Sequence, residues 1–134
     1  MTALLEYTGD LRCTLTHVLS GIRIDTDAPP DNQGRGEAFS PTDLCATSLA
    51  TCALTTMAIR IRDRGISIDG ARAEVNKIMA SDPRRIKRIE IRLIMPPNQY
   101  SEADKALLRH IADTCPVALS LHPDLEQAVE FVWL

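Results

Sequence analysis

Aromatic side chains are scarce in this chain: one Trp, two Tyr and two Phe among 134 residues. Few rings are left to shape a pocket, so a bound molecule would be contacted by aliphatic Leu, Ile and Met. The cysteines include no C-x-x-C, and the redox and zinc spacings that carry most weight are therefore missing. His17, His110 and His122 share no ligand spacing and form no H-x-x-x-H, so no metal site is expected. Nor does any pattern call for an organic cofactor. A G-x-S-x-G elbow is absent, which removes the serine-hydrolase arrangement. Gly34-Arg35-Gly36 lacks a P-loop Lys and a preceding buried strand, so it reads as a mobile loop rather than a nucleotide site. For a cysteine protease, His and Asn or Asp would have to surround Cys52, and nothing positive in the sequence supports that.

Excess positive charge is also missing. A formal net charge of −3 argues against a nucleic-acid partner held through phosphates. The one basic cluster, Arg84-Arg85-Ile86-Lys87-Arg88, alternates with Ile86, Ile89 and Ile91 as the solvated face of a strand does. Met1-Thr2-Ala3-Leu4-Leu5-Glu6 meets a charge too early for a secretory h-region, and no membrane span is expected. A cytoplasmic location follows as the expectation. There, four cysteines are not a disulfide framework, and any disulfide would be transient and catalytic or sensory.

What is present fits one globular domain, residues 1–134. At 45% hydrophobic and 25% charged residues the composition is globular. A monomer of this size would still leave much apolar surface, which favours oligomerisation.

Alternating apolar runs predict a three-strand meander over Leu4 to Thr8, Leu11 to Val18 and Ile22 to Thr26, followed by a Pro- and Gly-rich loop over Ala28 to Gly36. Ser40, Pro41 and Asp43 form a capping box that opens a long central helix ending near Gly65. Its apolar stripe, rich in small residues, implies close helix packing. Strands over Ile66 to Met79 and Arg85 to Met95 read as an antiparallel hairpin. A second capping box, Ser101 to Asp104, then opens a helix leading to Cys115. A short helix from Pro116 to Leu121 and a strand over Ala128 to Trp133 complete the order βββ, α, ββ, α, α, β.

Two cysteines stand in contrasting settings. Cys115 precedes Pro116 and so takes the N-cap position, where unpaired N–H groups and the helix dipole favour thiolate. Cys52 lies mid-helix, where burial alone would leave it inert unless a cation or donor reaches it. Simple packing is the competing explanation for both, since free Cys behaves as a small hydrophobe. Cys45, seven residues before Cys52, and Cys13, on a strand, read as packing residues, with Cys45 as an alternative resolving thiol.

The run from Phe39 to Cys52, in which Cys52 follows Leu44 by eight residues, and the later run Cys115-Pro116-Val117-Ala118-Leu119-Ser120-Leu121 resemble the osmotically inducible protein C (OsmC) and organic hydroperoxide resistance (Ohr) family. The likeness spans essentially the whole chain. It implies an α+β fold in which antiparallel sheets wrap a long central helix in an intertwined homodimer. It also implies a thiol-dependent peroxidase with Cys52 as peroxidatic and Cys115 as resolving thiol. The substrate would be an organic hydroperoxide or hydrogen peroxide. An external dithiol, lipoyl-bearing in the better-known members, would reduce the Cys52–Cys115 disulfide.

By the same resemblance an Arg activates Cys52 and is held by a Glu ten residues before it. That position is Thr42 here. Thr cannot grip a guanidinium as a carboxylate does. Arg12 and Arg35 are the candidate cations, with Asp43, Glu37 or Thr42 as candidate holders. An alternative keeps the fold and the thiols but little peroxidase turnover, as a redox-sensing or ligand-binding dimer.

Overall fold

The computed structural model describes residues 1–134, which divide into two compact units, Met1–Cys45 and Ala46–Leu134. In the first unit, alternating sequences form β1 (Ala3–Gly9), β2 (Arg12–His17) and β3 (Arg23–Asp27), paired antiparallel in that order. Gly9, Asp10 and Leu11 turn the chain from β1 to β2, all three at positive φ. Because successive strand residues face opposite ways, the pairing rows sort the sheet by polarity. Leu5, Leu15 and Ile24 form one row, with Tyr7, Cys13 and Thr26 beside it on the same face. Arg12 opposite Asp27 and Thr14 opposite Asp25 lie on the other face.

The loop after β3 closes on itself through Gly34 N–H to Pro29 O (3.0 Å) and Gly36 N–H to Ala28 O (3.2 Å). Gly34 is required there, because a Cβ would sit 1.7 Å from the Ala28 carbonyl oxygen. The capping box then forms as the sequence predicts. Ser40 N–H donates to Asp43 Oδ2 (2.9 Å), and Asp43 N–H donates to Ser40 Oγ (3.0 Å). Helix α1 (Pro41–Ile61) follows and ends in a 3₁₀ turn, Arg62–Arg64, with Gly65 left-handed at φ +70°.

In the second unit, β4 (Arg72–Ala80) and β5 (Arg85–Met95) form the antiparallel hairpin, and β5 is the middle strand. The strand predicted from Ile66 starts only at Arg72. Gly65 and Gly70 both adopt positive φ, and Ala71 N–H turns back to Ile68 O (2.9 Å), so residues 66–71 cannot extend. Helices α2 (Glu102–Asp113) and α3 (Pro116–Ser120) then lead to β6 (Glu126–Trp133). β6 pairs with β5 in parallel, so the expectation of antiparallel sheets holds for the first sheet only. The two helices between β5 and β6 are the crossover that a parallel pair requires.

The core lies wholly in this unit. Ile89, Ile91, Leu93 and Met95 of β5 pack with Leu49, Ala53 and Met57 of α1 and with Leu108 and Ile111 of α2. Arg88 of the basic cluster lies on the opposite face of β5, where it pairs with Glu90 (2.9 Å) and with Glu126. α2 is seated on β6 by an aromatic group. Trp133 stacks on Phe131 and meets Tyr100, both at 5.1 Å between centroids, and the Arg109 guanidinium lies 5.6 Å above the Trp133 ring.

Candidate functional site

Cys52 projects from the middle of α1 beside the buried stripe of Ala46, Leu49, Ala50, Ala53 and Met57, and is itself half-buried. Cys115 occupies the N-cap of α3 with extended backbone (φ −67°, ψ 156°), directly before Pro116 at the first helical position. α2 delivers it there. The Ser101 and Asp104 capping box starts that helix, and Leu108, Ile111 and Ala112 bury its inner face.

The two sulfurs meet at the first turn of α3. Val117 N–H donates to Cys52 Sγ at 3.5 Å, and Thr56 Oγ1 lies 3.9 Å from the same sulfur. Cys115 is fully buried. Burial is the largest influence on its thiol and pushes the pKa up. Cys52, as its hydrogen-bond partner and a neighbouring negative charge, adds to the rise, while the N–H groups of Ala118 and Val117 oppose it. The sequence reading of Cys115 as the more acidic sulfur is thereby overturned: the N-cap position is right, but desolvation outweighs the helix terminus. Cys115 therefore holds its proton at neutral pH, and the half-buried Cys52 accepts the Val117 N–H. All four cysteines are thiols, with no disulfide between Cys52 and Cys115.

The residues proposed to activate Cys52 lie in the first unit. Arg12 stands between two carboxylates, with Nη2 3.7 Å from Asp27 and 3.6 Å from Glu37. Arg35 is mostly exposed and reaches only Asp10, at 3.9 Å. Asp43 is engaged at the helix cap, and Thr42 Oγ1 lies 3.2 Å from Ser40 Oγ. Of the three candidate holders, then, Glu37 is the one beside a candidate Arg. Asp27 escaped the sequence reading. Its signal was the pairing register that sets it opposite Arg12, which no motif announces.

The remaining candidates have ordinary roles. His17 bonds Ser20 Oγ (2.7 Å), and His122 Nδ1 accepts from Asp124 N–H (3.0 Å). Cys13 faces Tyr7 and Thr26 across the meander. A groove of about 560 Å³ runs over the charged face of β4, β5 and β6, lined by Glu74, Arg88, Glu90, Arg92 and Glu130 among others and by no cysteine.

Fold and site together define an α+β protein with two sheets, a long helix and a dithiol pair in which Cys115 is buried and Cys52 half-buried. The OsmC-like protein family model matches residues 34–129, and the chain belongs to that family. A protein from Psychrobacter arcticus 273-4, described as an osmotic stress induced and detoxification response protein, is 48% identical over 98% of this chain and 96% of its own, with a TM-score of 0.94. The fold is also that of an OsmC-like protein from Mycoplasma pneumoniae (18% identity, TM-score 0.81, covering 98% and 95%). An organic hydroperoxide resistance protein from Legionella pneumophila shares it too (15% identity, TM-score 0.75, covering 98% and 96%). Comparison with curated proteins gives no match.

Proposed function

We propose that this protein is a thiol-dependent peroxidase for small hydroperoxides. The observation that carries the reading is the adjacency of two unlike sulfurs. Cys52 is half-buried and takes the Val117 N–H bond, while Cys115 is buried, protonated and hydrogen-bonded to Cys52.

The Cys52 thiolate attacks the peroxide oxygen distal to the organic group. The O–O bond breaks, the leaving alkoxide takes a proton and departs as alcohol, and Cys52 becomes a sulfenic acid. Cys115 loses its proton and attacks that sulfur, water leaves, and a Cys52–Cys115 disulfide forms. An external dithiol returns both thiols by exchange and is itself oxidised to a disulfide. By family resemblance an Arg favours the Cys52 thiolate, and Arg12 and Arg35 are the candidates.

The acting species in this reading is a homodimer in the cytoplasm. Pro41–Arg64 is long and apolar enough to cross a membrane, yet only 33% of its most apolar window is buried in one chain. Leu5 and Ile24, on the apolar face of the meander, are 65% and 47% exposed. A second copy covers both. The test is disulfide mapping by mass spectrometry before and after one equivalent of cumene hydroperoxide. A rapid Cys52–Cys115 disulfide, absent in Cys52→Ser, is expected; unchanged thiols would sink the reading.

One observation favours a second reading, a redox-sensing or ligand-binding dimer with little turnover: Thr42 puts no carboxylate where family members hold the Arg. Slow oxidation indifferent to the peroxide's organic group would select it.

A further inference from the structure

Beside the two sulfurs stands a hydroxyl that the proposed cycle leaves unused. Helix α1 carries Thr56 four residues after Cys52, in the run Cys52-Ala53-Leu54-Thr55-Thr56. Residues four apart on a helix share a face, and a helical side chain leans back over the preceding turn. The half-buried Thr56 thereby turns its Oγ1 to the Cys52 sulfur, 3.9 Å away. The contact is long, and charge on the acceptor is what shortens such a bond.

We propose that Thr56 is a catalytic residue whose hydroxyl donates a hydrogen bond to the Cys52 thiolate. The inference rests on the peroxidase reading, in which that thiolate is the attacking species. Proton count fixes the direction of the bond. While Cys52 is a thiol, either atom can be the donor; once it is a thiolate, the sulfur has no proton and only the hydroxyl can donate. Val117 N–H already donates to the same sulfur at 3.5 Å, and the protonated Cys115 is hydrogen-bonded to it. Backbone, hydroxyl and thiol thus converge on one developing charge, all from residues of the Ala46–Leu134 unit. Hydrogen bonds to a charged form favour that form. Of the three donors, Cys115 gives up its proton in the second step and Val117 belongs to α3, whereas Thr56 is built on the same helix as Cys52. The competing role for a mid-helix Thr hydroxyl is a bond to the carbonyl four residues back, here that of Cys52 itself. Such a bond leaves the sulfur untouched, so Cys52 reactivity separates the two roles.

The experiment compares full-length, reduced wild-type protein with Thr56→Val, Thr56→Ser and Thr55→Val. Val keeps the shape of Thr and removes the hydroxyl, Ser keeps the hydroxyl, and the exposed neighbour Thr55 controls for the substitution itself. Two rates are read at Cys52 by peptide mass spectrometry: oxidation by cumene hydroperoxide at pH 7, and alkylation by iodoacetamide at pH 7 and pH 10. Loss of one donor to a thiolate lowers the thiolate population roughly tenfold, while the less stabilised thiolate that remains is roughly threefold more nucleophilic. Both rates in Thr56→Val are therefore expected to fall about threefold at pH 7, and the alkylation gap to close towards pH 10. Thr56→Ser and Thr55→Val are expected to stay within about twofold of wild type.

Wild-type rates in Thr56→Val would overturn the proposal and leave the hydroxyl to the helix carbonyl. So would an alkylation loss of equal size at both pH values, which marks a change of shape rather than of charge. A Thr56→Ser protein as slow as Thr56→Val would overturn it too. Should peroxide fail to oxidise wild-type Cys52, the peroxidase reading falls, and the alkylation comparison still decides whether the hydroxyl serves the thiolate. Should Thr56→Val fail to fold, Thr56→Ala carries the same comparison with the same expected loss.

Discussion

At the scale of single residues, the difference between the two sulfurs follows from solvation. Cys115 is buried against α3, so ionising it forfeits hydration that two backbone N–H groups do not replace. Its folded pKa is raised, so it holds its proton at neutral pH and, in the proposed cycle, must give it up before it can attack the Cys52 sulfenic acid. The same shift bears on stability. In the unfolded chain Cys115 ionises near its ordinary pKa of about 8.5, while the folded state still holds the proton. Stability from this group is therefore complete below that pH and falls as pH rises towards the folded pKa, by at most about 1.4 kcal/mol per pH unit. Urea midpoints of the reduced protein are expected to drop between pH 7 and pH 10, and to drop less in Cys115→Ala. Equal drops in both proteins would assign the pH effect to another group. At this scale the resemblance already singled out Cys52 and Cys115, which the structure brings together, whereas Cys115 acidity was misjudged, because sequence shows a helix terminus but not its desolvation.

At the scale of elements, the site depends on how α2 is seated, since α2 ends two residues before Cys115. The Trp133, Phe131 and Tyr100 group and the Arg109 guanidinium fix that helix to β6. Three of the chain's five aromatic residues are spent here, which explains why so few rings leave a well-anchored helix. Trp133→Ala is expected to cost about 2 kcal/mol, less than a fully buried Trp would. It is also expected to slow Cys52–Cys115 disulfide formation after peroxide, read by quenched mass spectrometry. A stability loss with an unchanged disulfide rate would mean that α3 and β6 hold Cys115 without α2.

Element boundaries were legible wherever the local signal was strong. β5 spans Arg85–Met95 as its alternation predicts, and both capping boxes form at the residues that announce them. The run from Ile66 was misread because Gly65 and Gly70 take left-handed conformations that an apolar pattern does not reveal. The parallel β5–β6 pairing and the Arg12–Asp27 pair were invisible for one shared reason: strand register and direction are properties of two segments, and neither segment encodes them alone.

At the scale of the whole molecule, the unresolved physical demand is cover for apolar surface. Every residue of the hydrophobic core belongs to Ala46–Leu134, and the meander contributes none. Leu5 (65% exposed), Tyr7 (64%) and Ile24 (47%) nonetheless lie on one face of the meander, in the pattern of a sheet made to be buried. In the proposed homodimer a second copy would meet that demand, with every contact made twice through two-fold symmetry. Burying one such side chain is worth roughly 1.5–3 kcal/mol, so replacing two of them on each of two subunits removes far more than a typical dimer can spare. Sedimentation of the wild-type protein is expected to give a dimer, and Leu5→Asp combined with Ile24→Asp is expected to weaken self-association by at least about a hundredfold. Circular dichroism and urea midpoints, taken at the same concentrations, separate dissociation from unfolding. A wild-type monomer would mean that another partner covers the meander, and a variant that remains dimeric would move the interface to α1.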